Sequence, residues 1–364
     1  MERLSTHQFM TLSAAVLLGT TFLPTGALVT AVAGRDGWMA IFPAFVFGIP
    51  FGFMILSMMP KYPGKNFLEI SESVLGKWLG KGMGLLYILV TTYFGAVLSG
   101  QGPDIYSRTI LPLMPHYIFI LGGFLLIFLL YFSGIEVFGR FTEVVLPIVV
   151  IALVLTALLT IPHFEEGELY PILGKGIKPV FLASFKVAPF ALEYILFLAG
   201  LISFLPKQAK DLKQMKKGIW RAVFLVAFLN TLIALIQILT FGPLETTRLT
   251  YGLLVLGKML EISRAVAGVE SIFALVWMGA LAIKVAAFFF AGMWGLKSVF
   301  GLKNFKWSLI LGLVYILVPM FFPRGMDIIV EIDAIDTYLI LPFGVFWVLL
   351  VWGVDKWKRR PKSS

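Results

Sequence analysis

Gly19-Thr20-Thr21-Phe22-Leu23-Pro24-Thr25-Gly26 is the stretch on which the fold turns. It lies inside an uncharged run from Gln8 to Gly34, long enough to cross a bilayer at about 1.5 Å per residue. Its middle is poorly made for a helix. Proline removes a backbone N–H and clashes with the preceding turn, and glycine leaves the backbone exposed. Backbone groups freed in lipid need partners, so interrupted helices persist only where they line a cavity within protein. Transporters use such breaks to present half-helix ends to a substrate near the membrane midplane. A continuous Pro-kinked, Gly-packed helix is the alternative, and this stretch alone does not choose between the two.

The composition identifies the solvent. Hydrophobic residues make up 59% of the chain and charged residues 14%, with a mean hydropathy of +0.93. A soluble domain carries roughly 25% charged residues, so this is a polytopic membrane protein with little room for a soluble domain. Met1–His7 lacks the small-residue cleavage site that follows the short apolar core of a signal peptide, and is expected to be retained. There are no cysteines, which excludes disulfides, Cys metal sites and Cys nucleophiles. His7, His116 and His163 are far apart and show no metal-ligand spacing, and no phosphate-binding loop or hydrolase elbow is present. The expectation is a non-enzyme with no cofactor, no metal and no nucleic-acid partner.

Ten apolar spans are expected: Thr6–Ala33, Gly37–Met59, Gly82–Ser99, Tyr117–Phe132, Phe138–Ile161, Pro179–Leu205, Ile219–Phe241, Gly268–Leu296, Trp307–Phe322 and Tyr338–Val354. Pro147 predicts a kink in the fifth. With the N-terminus placed inside, the inner loops and ends gather about twenty Lys and Arg, densest over Lys207–Arg221 and Lys356–Lys362. The outer side holds about eight, among them Arg35, Arg108 and Lys175. Both termini then come out cytoplasmic. The acids gather outside, at Glu165, Glu166 and Glu168 and at Asp327, Glu331, Asp333 and Asp336. Two connections read as amphipathic helices on the membrane surface. Gly64–Lys81 lies inside, and Glu245–Val269, including Leu260 and Ile262, lies outside as a cavity cap or a plain cover.

The sixth span repeats the anomaly of the first. Lys186-Val187-Ala188-Pro189-Phe190-Ala191-Leu192-Glu193 puts a proline and two ionisable groups inside an apolar segment, where charge is costly and marks function by default. Ten spans divide into five and five, and the interrupted helices are the first of each half. The fold expected is therefore all-α, a single transmembrane domain over 1–364 built as an inverted repeat. Residues 1–161 and 179–354 form the halves, and 355–364 a basic tail.

A half-helix N-terminus suits a carboxylate and a C-terminus an ammonium, which favours an amino acid ligand. The candidate ligand-binding residues are Gly19, Thr20, Thr21, Thr25 and Gly26 in the first break and Ala188, Pro189, Phe190 and Ala191 in the second. Tyr93 is a hydroxyl donor or a packing tyrosine. Gln101, Asn230 and Gln237 are interhelical glue or ligand contacts. Glu193 either orients the unwound segment or moves a proton. Lys284 stands near the middle of Ser271–Leu296, a stretch with no other charge, too far from either end to snorkel. It either donates to carbonyls freed around Gly19–Phe22, in place of a sodium ion, or pairs with a carboxylate.

At these residues the chain resembles the spore germination permeases, B subunits of germinant receptors in the amino acid–polyamine–organocation superfamily. The resemblance runs over nearly the whole chain. It rests on Leu4-Ser5-Thr6-His7-Gln8, Leu18-Gly19-Thr20, Arg35-Asp36-Gly37-Trp38, Tyr62-Pro63-Gly64-Lys65-Asn66-Phe67 and Leu75-Gly76-Lys77-Trp78-Leu79-Gly80-Lys81. It continues through Gly134-Ile135-Glu136 with Arg140, Tyr170-Pro171-Ile172-Leu173, Pro189-Phe190-Ala191-Leu192-Glu193, and Trp277 ahead of Lys284. It implies a LeuT-like fold of ten helices in the inner membrane of a spore. It also implies an A-type membrane subunit and a C-type lipoprotein as partners, and a role in sensing a small nutrient germinant. A stand-alone, proton-coupled, sodium-independent amino acid transporter is the other reading, since one fold serves both. A structural scaffold would leave two broken helices unexplained.

Overall fold

The structure is a computed structural model and describes residues 4–111, 113–205, 209–249, 251–259, 269–302, 304–321 and 326–359. The regular structure among them is helical throughout. The first crossing is α1 (Thr6–Thr21) and α2 (Thr25–Ala33), separated at Phe22–Pro24. Local sequence starts α1: the Ser5 hydroxyl accepts from Gln8 N and the Gln8 side chain accepts from Ser5 N, a reciprocal cap. The second crossing, expected over Gly37–Met59, is divided. A 3-10 turn at Gly34–Ala40 leads into α3 (Ile41–Val46) and α4 (Ile49–Met58), each with a proline in or next to its first turn.

The first of the two expected amphipathic helices is present as α5 (Phe67–Leu75), capped by Asn66 and Glu69 in the same reciprocal way. Gly76 ends it at φ 88°, a conformation open chiefly to glycine. The third crossing, α6 (Lys77–Ile105), therefore starts at Lys77 instead of Gly82. Then come α7 (His116–Phe132), α8 (Gly134–Thr160, with Pro147 inside), the broken sixth crossing α9 (Ile177–Val187) and α10 (Glu193–Leu201), and α11 (Ala209–Thr246). A 3-10 turn over Ala188–Leu192 joins α9 to α10. Of the second expected amphipathic helix, α12 (Gly252–Met259) is present; Leu260 and Ile262, expected to extend it, lie outside the described residues, as does the tail beyond Arg359. The remaining crossings are α13 (Val269–Phe300), α14 (Phe305–Phe321), and α15 (Met326–Ile335) with α16 (Leu341–Lys358).

The last crossing corrects the sequence reading. It begins at Met326, not Tyr338, and carries a π-helical turn over Asp336–Ile340. Glu331, Asp333 and Asp336, read as outer-loop acids, lie on this helix. The acids lower its apolar character, yet each meets protein groups. Tyr93 Oη donates to Glu331 Oε1 at 2.6 Å, Lys186 Nζ to Asp333 Oδ2 at 2.6 Å, and Asp336 is wholly buried.

Among the long apolar stretches, Ile177–Phe204 and Trp277–Phe300 are the most deeply buried. The sixth and eighth crossings thus form the centre of the bundle, while Gly134–His163 keeps most of its surface outward. α13 packs on α6, α1 and α10, and α2 packs along α9. Phe94 meets Phe288 edge-on at 4.8 Å, which locks α6 to α13 beside the centre.

Candidate functional site

The first break satisfies its own backbone. The Thr21 hydroxyl donates to Leu17 O at 3.0 Å, Leu23 N donates to Thr20 O at 3.3 Å, and the Thr25 hydroxyl reaches across the break to Thr21 O. Hydroxyls here do the work of the missing helical N–H groups, as buried carbonyls require. That accounts for Thr21 and Thr25, on either side of Pro24. Thr20 alone turns its hydroxyl elsewhere, into the bundle, where Lys284 Nζ donates to it at 2.6 Å.

Lys284 is the centre of the arrangement. Its ammonium lies 2.5 Å from Glu193 Oε2, and both side chains are fully buried. The Phe94 ring centroid lies 5.9 Å from the ammonium. Lys284 therefore joins α1 at Thr20, α10 at Glu193 and the aromatic wall of α6. Two of the carbonyls expected to hold it, Thr20 O and Thr21 O, accept instead from Leu23 N and the Thr25 hydroxyl, and the ammonium meets Thr20 and Glu193. Glu193 sits at the first position of α10, where a carboxylate also faces the positive end of the helix.

Gly19 makes this meeting possible. A Cβ on it would come within 2.8 Å of Lys284 Cβ and 2.9 Å of Ala280 O. Only hydrogen fits between α1 and α13 at that level.

The other candidates are distributed as follows. Thr20, Thr21, Thr25, Ala188, Phe190 and Ala191 are buried. So are Gly19, Gly26 and Pro189. Helix α1 packs against the 3-10 turn that carries Ala188–Ala191. Gly26 is turned toward Gln237 and Ala234 of α11. Ala188 also lines an apolar cavity of 320 Å³ with Met39, Phe47, Phe181 and Phe185. Tyr93 is half-buried and bound to Glu331, so it ties α6 to α15. Asn230 Nδ2 turns back to Val226 O on its own helix at 2.9 Å.

Sequence reasoning missed Asp336. It is fully exposed to protein and not to solvent, and the side chain it faces is that of Glu193. The hidden signal is spacing: Asp333 and Asp336 are three residues apart, so both fall on one helix face with Lys186 and Glu193 opposite.

A second polar cluster ties the segment after α4 to the last helix. Asp355, 2% exposed, accepts from Lys61 Nζ at 2.7 Å, Tyr62 Oη at 2.7 Å and Arg359 Nε at 2.8 Å. Partial burial pushes the Tyr62 phenol above the usual tyrosine range, which keeps its proton on the bond to Asp355. No group of three or more metal-ligating side chains occurs among the described residues.

Comparison with known proteins agrees with this architecture. A family model described as Spore germination protein matches residues 3–326. Spore germination protein YndE of Bacillus subtilis (strain 168) is 26% identical over 98% of this chain and 98% of its own length. Spore germination protein KB of the same organism is 24% identical over 100% of this chain and 97% of its own. Among solved structures, that of MhsT in complex with L-phenylalanine matches with a TM-score of 0.71 at 15% identity, covering 96% of this chain and 89% of that one. A manganese transporter of Eremococcus coleocola matches with a TM-score of 0.60 at 12% identity, covering 95% and 79%. The fold is LeuT-like, with the first crossing of each half interrupted.

Proposed function

This chain belongs to the spore germination permease family, and from that membership we propose that it is the B subunit of a germinant receptor that binds a small nutrient germinant, an amino acid, between its two broken helices. The observation that carries the reading is the packing of α1 against the Ala188–Leu192 turn, which joins the two interrupted crossings. Thr20, Thr21, Thr25 and Gly26 on one side and Ala188, Pro189, Phe190 and Ala191 on the other are the ligand-binding residues of this proposal. MhsT holding L-phenylalanine supports an amino acid as the class of ligand. The reading carries with it an A-type membrane subunit and a C-type lipoprotein as partners, residence in the spore inner membrane, and cytoplasmic termini.

The experiment is thermal unfolding of the purified full chain with a panel of free L-amino acids. A ligand of the native state raises apparent stability as RT ln(1 + [L]/Kd). At least one amino acid is expected to raise the melting temperature, and Ala191→Leu to abolish the rise. A flat response across the panel removes the amino acid from the proposal.

A second reading, a proton-coupled and sodium-independent amino acid transporter working alone, is favoured by the transporters that share the fold and by the ammonium of Lys284 in the bundle centre. Uptake of the stabilising amino acid into liposomes bearing only this chain, driven by a proton gradient, distinguishes it from the sensor.

A further inference from the structure

Three ionisable side chains meet in the interior of this membrane protein: Glu193, Lys284 and Asp336, all 0% exposed. They come from three crossings, the second break, the eighth helix and the π-turn of the last helix. Their charges do not balance. One ammonium faces two carboxylates.

The polar contacts are as uneven as the charges. Lys284 Nζ lies against Glu193 and donates to Thr20. Among the described residues, neither oxygen of Asp336 accepts from a nitrogen or hydroxyl donor, and the Glu193 carboxylate takes none beyond its ion pair. Yet the Asp336 carboxyl faces the Glu193 carboxyl where the Ala188–Leu192 turn packs on the Asp336–Ile340 turn. Two ionised carboxylates offer each other only lone pairs and repel. Contact between them becomes a hydrogen bond when one carries a proton, as in paired carboxyls that share a site.

The other charges nearby do not supply a second cation. Asp333, one turn earlier on α15, is itself acidic and is taken up by Lys186. Glu331 on the same helix is held by Tyr93. From α1 the facing group is the Thr20 hydroxyl, and from α6 the Phe94 ring. An unbalanced buried anion is costly to hold away from water.

We propose that Glu193 and Asp336 share one exchangeable proton, so that the Lys284 cluster is a proton-binding site joining both broken helices to the π-turn of the last helix. One water-derived proton binds the carboxylate pair, and deprotonation returns it to water. With it the cluster is neutral: one ammonium, one carboxylate, one carboxylic acid. Without it the two carboxylates repel across the contact between the Ala188–Leu192 turn and the Asp336–Ile340 turn. The π-turn widens the helix by one residue at that spot and gives Asp336 a place to move. The site follows from the buried charges and stands whether the chain senses or transports.

The test is infrared spectroscopy of the purified full chain across a pH series, in water and in deuterium oxide. A carboxylic-acid carbonyl band is expected, shifted down by deuterium exchange and lost on raising the pH. Asp336→Asn and Glu193→Gln each leave a single carboxylate for Lys284, so each is expected to lose the band. A wild-type chain with no such band at any pH where it stays folded overturns the proposal. So does a band that survives in either variant. The wild-type spectrum is read without any variant, so a misfolding variant does not shield the idea.

Discussion

Gly19 lies directly on the stem of Lys284, close enough that a Cβ at position 19 would sit 2.8 Å from the lysine Cβ. That contact sets the distance between α1 and α13, and with it the reach of the ammonium to Thr20. Gly19→Ala is expected to push the helices apart and lower stability by about 1–3 kcal/mol, the usual cost of overpacking. Thermal unfolding in detergent measures it. Gly122→Ala on α7, where a Cβ meets nothing within 4 Å, is the control and is expected to leave the melting temperature unchanged or slightly raised.

The Asp355 cluster is expected to matter more than any exposed ion pair. Asp355 is nearly inaccessible and accepts three bonds, two of them from cations. Asp355→Asn is expected to cost roughly 1.5–3 kcal/mol, the range of a hydrogen bond to a charged group. The Arg140–Glu136 pair, with side chains 70% and 43% exposed, is the comparison. Glu136→Gln is expected to change stability by less than about 1 kcal/mol. Equal losses in the two variants would show that burial does not govern these pairs.

What was legible in the sequence followed backbone chemistry. Pro24 among glycines and threonines, and Pro189 between Lys186 and Glu193, both announce a broken helix, and the chain breaks at Phe22–Pro24 and Ala188–Leu192. Lys284 was readable as buried because no end of its helix is within reach. Its partner was not, because Glu193 lies 91 positions away (284 − 193) and only the packing of α10 on α13 joins them. Asp336 escaped for a different reason. Acids on a helix resemble acids in a loop until their partners are known, and Tyr93 and Lys186, which take up Glu331 and Asp333, are far off in the chain. The π-turn beside it has no glycine or proline within it to mark it.

The orientation is tested through the absence of cysteine from the chain. A single cysteine placed at Lys213, at the start of α11, is expected to react with an impermeant thiol reagent only from the cytoplasmic face. One placed at Glu166, in the loop after α8, is expected to react only from the opposite face. The sixth crossing, α9 with α10, is the one membrane passage between the two sites. Labelling of both from one side would mean that the chain does not cross where Ile177–Phe204 is buried.

Lys284 gives the sharpest separation of structural from coupling roles. Lys284→Met keeps the apolar stem and removes the ammonium from a carboxylate 2.5 Å away. The Glu193 carboxylate is then buried without its cation, beside Asp336. Removing one partner of a buried pair typically costs roughly 3–5 kcal/mol, much of it the burden of the stranded charge. The double variant Lys284→Met, Glu193→Gln removes that charge too, and is expected to be more stable than Lys284→Met alone. Chemical unfolding of the wild type, both single variants and the double variant closes the cycle and isolates the coupling between the two residues. Strict additivity would mean that the ammonium does not compensate the carboxylate. Exchanging sodium for another monovalent cation at fixed ionic strength adds a second readout. With Lys284 in place, ligand-induced stabilisation is expected to be the same in both salts. A clear requirement for sodium in the wild type would show that the ammonium does not stand where a sodium ion would act.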